Sequence, residues 1–414
     1  MLVLYRLLLE FAYTNYIVST YGYVGFSYNF DFYRYIFSWG LLLLLLPLIS
    51  ARLRFVTDFV FLVAQVRILV PISCIFGLNA QIPFLPIYCT FFSFFAIYLI
   101  TRKLKFKSLK ILYLKSGLLI ANSLTVLMLF YLIIWYTVSG GIYNINFSLR
   151  DVYEYRAENA ELTSFGILAY LNKWTMKVFS IFMLSLALWR KKLFLISLVI
   201  GAQVLFFAVS SHKAVLFYPL ICVGLWLIYR WQISNSQILF AFLLFITPLI
   251  ALYDDIPFLS SIFVRRLLFV PSYLTTVYFD FFAQNDHIFW SNSVLSSFLE
   301  YKYDHGLSHL IGWYVHHDEN ASNSNYISTG YAHAGIFGII LYTLVIAFLL
   351  RLYDYFIRKD KMPGWLVTSI VSVPIWNVVC SSDLLVSIST HGLGVATLLL
   401  LLIRNKRTEV WEGD

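Results

Sequence analysis

Runs of about twenty apolar residues, separated by short polar connections, constrain this chain more than any other feature. The run 193–210 holds no charged residue, and 56–76 holds only Asp58 and Arg67. Crossing about 30 Å of hydrocarbon takes roughly 20 apolar residues. Backbone in lipid must satisfy its own hydrogen bonds, so such runs form helices. Twelve of them are found, near 2–22, 32–50, 56–76, 82–100, 114–138, 171–189, 193–210, 214–230, 237–253, 333–350, 364–380 and 385–403. With 60% hydrophobic and only 12% charged residues, the chain lies outside the range of soluble domains. The expected fold class is therefore an all-α polytopic membrane protein with about 12 transmembrane helices. The first run is interrupted by Arg6 and Glu10 and has no small-residue cleavage site, so it reads as a retained helix. Cys74, Cys89, Cys222 and Cys380 lie in or beside apolar runs and have no metal-ligand spacing.

The net charge of +9 does not point to nucleic acid, because most of the excess sits in short loops. If both termini are cytoplasmic, one side holds Arg52 and Arg54, then Arg102 to Lys115, Arg190 to Lys192, Arg230, Arg351 to Lys361 and the tail. These are 19 of the 30 basic residues, as the positive-inside rule requires. The division that follows is 1–138 for spans 1–5, 139–170 for a first outer segment and 171–253 for spans 6–9. A large outer loop, expected as a subdomain against the membrane surface, takes 254–332, and 333–414 holds spans 10–12 and a cytoplasmic tail. The 254–332 segment is far longer than an ordinary connection. It concentrates carboxylates, histidines and aromatic residues with the adjacent arginines Arg265 and Arg266.

Those two arginines run against the topological trend. Guanidinium groups match phosphate oxygens in a planar fork; the plainer reading is anchoring to headgroups or pairing with Asp254 and Asp255. Arg156, in Val152-Tyr153-Glu154-Tyr155-Arg156, joins the same anion site or pairs locally with Glu154 or Glu158. Lys213, in Ser210-Ser211-His212-Lys213, precedes a helix N-terminus that favours anions; a snorkelling lysine is the alternative. His305 and His309 at i, i+4, with His316-His317-Asp318-Glu319, invite a metal reading, but there is no HExxH motif, and a general base is the more economical role. The tract does not single out which of His316, His317, Asp318 and Glu319 that would be. The small and polar residues 323–335 allow close helix approach or read sugar hydroxyls. Asp383 and His391 bracket the last span, and Arg67 inside the third pairs with Glu10, Asp383 or a lipid phosphate.

Taken in order, several of these pieces resemble the Wzy-type oligosaccharide repeat-unit polymerases, or O-antigen polymerases. They are Val152-Tyr153-Glu154-Tyr155-Arg156, Ser211-His212-Lys213-Ala214-Val215-Leu216-Phe217, Val264-Arg265-Arg266 with Phe269-Val270-Pro271, Tyr278-Phe279-Asp280-Phe281-Phe282, and Gly330-Tyr331-Ala332 with Gly335 and Gly338. The resemblance covers about 150–390; the first 140 residues match only in being apolar. It implies a GT-C-like glycosyltransferase of the bacterial inner membrane, acting on the periplasmic side without cofactor or metal. The donor is a glycan on undecaprenyl pyrophosphate, and the acceptor is a repeat unit on the same carrier. Membrane lipids and a separate chain-length regulator are the further partners. Arg156, Lys213, Arg265 and Arg266 are then expected on the pyrophosphate. One of His316, His317, Asp318 or Glu319 is the expected base, and Asp280, Tyr331 and Asp383 are expected to contact substrate. An O-antigen ligase, with the same donor, is the nearest alternative. A lipid-linked oligosaccharide flippase is the alternative from another class, and it would call for short loops on both sides.

Overall fold

The computed structural model describes residues 1–104, 113–147, 166–316 and 320–404. Its helices are α1 (2–21), α2 (Phe32–Leu48), α3 (Val56–Leu78), α4 (Phe84–Lys103), α5 (Gly117–Val138), α6 (166–189), α7 (Leu193–Ser210), α8 (Ala214–Arg230), α9 (Asn235–Ala251), α10 (257–284), α11 (Leu307–His316), α12 (Tyr326–Arg358), α13 (Gly364–Cys380), α14 (Leu384–Ser389) and α15 (Leu393–Ile403). Among the described residues there is no β-strand, only the isolated bridges Asn29–Asn79 and Arg52–Ser234. A helix coincides with each of the twelve apolar runs, although the last run is split into α14 and α15. Five helices (α3, α4, α5, α7 and α12) are long and apolar enough to cross a membrane. The protein is thus all-helical and membrane-embedded.

Hydropathy does not say which helix is central. α3 and α5 share a mean hydropathy of 2.2, yet the apolar window of α3 is 94% buried and that of α5 only 28%. α3 is the axis around which α1, α10, α12 and α13 pack, while α5 presents most of its surface outward. Several hydroxyls inside these helices are satisfied locally: Thr90, Thr125, Ser185 and Thr343 each donate to the carbonyl four residues back at 2.7 Å.

The bundle has two chemically distinct ends. At one, Asp58 receives Arg102, the Ser50 hydroxyl and the backbone N–H groups of Arg54 and Phe55. Arg358 lies 4.2 Å from the centre of the Phe55 ring, and Arg404 pairs with Asp360. This is the basic end. At the other, Asn29 pairs with Leu78 and Ala80, Arg34 donates to the Ile82 carbonyl at 2.6 Å, and Ile288 and Phe289 bond to Ala332 and His333.

Segment 254–332, expected as a subdomain on the membrane surface, is instead built into the bundle from its start. α10 runs beside α3 and α12: Arg67 donates to the Leu267 carbonyl at 2.9 Å and Ser272 to the Ile68 carbonyl at 3.3 Å. The side chains at Val264, Leu268, Thr275, Tyr278 and Phe282 recur at helical spacing and are buried.

α12 is two helices joined by a reversal. Ala334 (φ −154°, ψ 36°) and Gly335 (φ 58°, ψ −141°) are non-helical. The piece before them folds back along the piece after them. Ser93 Oγ on α4 lies 2.7 Å from both the Tyr326 and the Thr343 hydroxyls, so these two stand at one level of the bundle. With Asp354 at the basic end, Thr343 lies about 17 Å up α12 at 1.5 Å per residue. Residues 326–333 are therefore a short re-entrant helix that starts inside the bundle and climbs to the reversal. Irregular backbone at such depth is tolerated when protein surrounds it, and Ser324 to Ala332 are all buried. Asn325 caps this helix: its Oδ1 accepts from the Ile327 and Ser328 N–H groups, and its Nδ2 donates to Thr275 on α10.

Candidate functional site

The end opposite the basic one gathers three polar features. The first is a cleft of about 450 Å³ between the 23–25 turn, the 81–83 turn, α10 and α11. That volume is ordinary for a small-molecule site. Its polar groups are Gln81, Thr276, Asp280 and the Tyr23, Tyr273 and Tyr314 hydroxyls. Tyr314 donates to Asp280 Oδ2 at 2.7 Å, so two of the lining residues are tied to each other. Tyrosine rings with a carboxylate and an amide suit a sugar, whose apolar ring faces and hydroxyls meet those two kinds of group.

The second is a group of cations along 253–266. The Arg265 guanidinium lies 4.2 Å from the Tyr21 ring centre, and its Nε reaches Ser261 Oγ at 3.3 Å. Arg266 is exposed. The Lys213 ammonium, on the turn between α7 and α8, lies 5.6 Å from the ring centre of Phe258. Phe258 lies seven residues before Arg265, and the segment Ser261–Phe269 that carries both arginines is wound as a π-helix. Lys213 thus meets the same stretch of chain that carries Arg265 and Arg266. Asp280 does not join them: fifteen residues of α10 put it roughly 22 Å along the helix from Arg265.

The third is a buried polar knot under the α12 reversal. Asp383 caps α14, its Oδ1 accepting from the Leu385 and Val386 N–H groups at 2.8 and 3.1 Å. Its Oδ2 accepts from the Tyr342 hydroxyl at 2.9 Å and lies 3.3 Å from His333 Nε2. Trp290 stacks on the His333 ring at 5.2 Å, donates its backbone N–H to His333 Nδ1 and its indole N–H to Tyr342. The tautomer follows from these partners: Nδ1 accepts, so Nε2 carries the proton toward Asp383. Burial acts against the Asp383 charge, but the hydrogen bonds from His333, the backbone and Tyr342 outweigh it and hold the carboxyl below its usual range. With four donors on two oxygens, Asp383 is committed to holding the reversal and α14 together.

Other residues singled out in the sequence fall as follows. Tyr331 is 8% exposed, with its ring stacked 4.0 Å from that of Phe279, so it packs the re-entrant helix against α10. Arg67 pairs with neither Glu10 nor Asp383; it bonds to Leu267 and lies 5.0 Å from the Trp376 ring centre, while Glu10 takes Arg6 and Tyr35. His305 precedes α11 and stacks on Trp313 instead of sharing a helical face with His309. Among the described residues no group of His, Cys, Asp and Glu could hold a metal. Arg156, His317, Asp318 and Glu319 lie outside the described residues, as does the side chain of His316. The 316–319 tract follows directly on Tyr314 and Val315, which line the cleft. Sequence reading missed the His333–Asp383–Tyr342–Trp290 knot. Its members are spread from 290 to 383, and the one signal available was an ionisable pair close to apolar runs.

No family model matches this chain, and no curated protein or solved structure does either.

Proposed function

We propose that this protein is a GT-C-like glycosyltransferase with about twelve membrane spans that joins oligosaccharide repeat units carried on undecaprenyl pyrophosphate. It would work on the periplasmic face of a bacterial inner membrane, with the basic end and both termini cytoplasmic. The observation that carries this reading is the pairing, at the end away from the basic one, of a tyrosine- and carboxylate-lined cleft with lysine and arginine groups beside exposed apolar side chains such as Phe258. In the reaction an acceptor hydroxyl attacks the anomeric carbon of the donor. The bond from that carbon to the pyrophosphate oxygen breaks, and the lipid pyrophosphate leaves with the electron pair. Arg265, Arg266, Lys213 and Arg156 stabilise the charge that develops there. One of His316, His317, Asp318 or Glu319 takes the hydroxyl proton. The cleft around Asp280 then aligns the glycan; its distance from Arg265 suits a chain of several sugars. Tyr331 and Asp383 serve by fixing the reversal beside the cleft.

The test is the purified protein incubated with a lipid-pyrophosphate repeat unit. A ladder of products from the wild type, reduced to single units by Arg265→Ala with Arg266→Ala in a normally folded protein, supports the reading. Normal chain lengths from that variant remove the arginines from the mechanism. Wild-type transfer to a lipid A core acceptor without any ladder makes the protein a ligase.

A further inference from the structure

A crevice of about 280 Å³ lies in the basic half of the bundle, apart from the cleft. It exists because α8 and α9, joined by the short turn 231–234, diverge. α8 packs on α6, α7 and α13, whereas α9 packs on α1 and α10. The base of the turn is fixed: Asn235 donates its backbone N–H to the Ala51 carbonyl at 2.9 Å and its Nδ2 to the Ser50 carbonyl at 2.7 Å. Beyond the turn the two helices leave a gap, and Phe59, Leu62, Val63 and Val66 of α3 form its back wall. Gly224 on α8 helps to keep the gap clear, since a Cβ there would meet nothing within 4 Å.

The walls present an apolar surface to this space. Arg67 contributes its stem, because its Nε is held by the Leu267 carbonyl at 2.9 Å and its guanidinium lies 5.0 Å from the Trp376 ring centre. Arg67 and Trp376 together close the inner end. Arg67 is eleven residues from Val56 at the start of α3, about 17 Å along the helix. The hydrocarbon core is about 30 Å thick, so the crevice spans one leaflet and stops near the midplane. That is the reach of one acyl chain. Water does not fill an apolar space of this kind, and the volume is nearly twice the roughly 150 Å³ that admits benzene, which gives room for about ten chain carbons.

The outer end of such a lipid meets cations. Leu53, which lines the crevice, sits between the exposed Arg52 and Arg54, and Ile228 on the α8 wall is two residues from the exposed Arg230. Guanidinium groups at headgroup level favour a phosphate that carries net negative charge. We propose that the crevice binds one anionic phospholipid from the leaflet at the basic end, its acyl chain between α8 and α9 and its phosphate beside Arg52, Arg54 and Arg230. The site stands whether or not the bundle joins glycans.

Trp376, at the inner end, reports occupancy. The full-length protein in maltoside micelles free of phospholipid is titrated with phosphatidylglycerol brominated near the end of one chain, and with phosphatidylcholine of the same chains. The Trp376 signal is the difference in fluorescence between the wild type and Trp376→Phe. Saturable quenching of that signal by phosphatidylglycerol is expected, with phosphatidylcholine about tenfold weaker because its choline cancels the charge that the arginines meet. Gly224→Leu, which fills the crevice, should abolish the quenching, and Arg52→Gln with Arg54→Gln should bring the two lipids closer together. The rise in thermal stability that phosphatidylglycerol gives the wild type should vanish in Gly224→Leu as well, a readout that needs no tryptophan variant. Equal quenching of the wild type by both lipids, no quenching of Trp376 by either, or quenching undiminished in Gly224→Leu overturns the proposal.

Discussion

Replacing Gly338 by alanine tests the re-entrant hairpin directly. A Cβ at Gly338 would lie 2.0 Å from the Gly330 carbonyl oxygen, the backbone of the antiparallel arm. A carbon packed against a carbonyl oxygen needs about 3.3 Å, so the arms must part by roughly 1.3 Å. Neither contact atom belongs to a flexible side chain that could swing aside. Forcing an extra methyl into such a contact costs about 1–3 kcal/mol. Parting the arms also pulls on the Ser93 hydroxyl, which bridges Tyr326 and Thr343 at 2.7 Å each; losing those two bonds adds about 1 kcal/mol apiece. The expected loss is about 3–5 kcal/mol. The control is Gly201→Ala in α7, where a Cβ meets nothing within 4 Å; helix propensity there favours alanine by up to about 1 kcal/mol. Both variants are measured by denaturant unfolding of the purified protein in one detergent, read by far-ultraviolet circular dichroism. A Gly338→Ala protein as stable as Gly201→Ala would refute the close approach of the two arms.

Arg6 is fully buried and bonded to Glu10, Ser73 and Ser38 at 2.7–2.9 Å; Glu10→Ala should cost about 3–5 kcal/mol by stranding that charge, whereas Arg6→Met with Glu10→Leu should come close to wild type in the same assay. Asp383, held below the usual carboxylate range, stabilises the fold fully above its unfolded pKa of about 3.9, and that contribution disappears as pH falls through its lower folded value. Thermal unfolding of the wild type should therefore weaken more steeply below about pH 4 than that of Asp383→Asn; parallel curves would count against the His333–Asp383 contact. Asp280→Ala removes the one carboxylate among the described residues that line the cleft. Under the proposed function it should raise the KM for the acceptor glycan more than it lowers kcat, and an unchanged KM would take the cleft out of substrate binding.

The helices were readable because uninterrupted apolar runs leave the backbone no alternative in lipid, and the runs at 193–210, 214–230 and 364–380 coincide with α7, α8 and α13 residue for residue. α10 was not read as a helix of the bundle, although Val264, Leu268, Thr275, Tyr278 and Phe282 keep helical spacing. Arg265, Arg266 and Asp280 give the stretch the look of an aqueous loop, and five of its buried positions are hydroxyl-bearing: Ser260, Ser272, Thr275, Thr276 and Tyr278. The reversal at 334–335 was hidden for a related reason. Small residues at 330, 335 and 338 announce close packing, but sequence does not say whether the neighbour is another helix or the same one turned back. Lys177 Nζ and His391 Nδ1 lie 2.7 Å apart in space but 214 positions apart in the chain, and nothing local to either predicts the other.

The hairpin also bears on how the chain is made. Ser93 leaves the ribosome 233 residues before Tyr326, a delay of about 10–50 s at 5–20 residues per second. For that interval α3 and α4 sit in the bilayer with the face destined for α12 uncovered. Tyr326 to His333 begin at mid-depth and are too short to be threaded across the membrane as a separate unit, so they can dock only once α10 and the upper part of α12 flank them. Completion of the bundle is thus a late, post-insertion step, and a nascent chain that stalls before residue 343 would expose buried hydroxyls to lipid, a ready mark for membrane quality control.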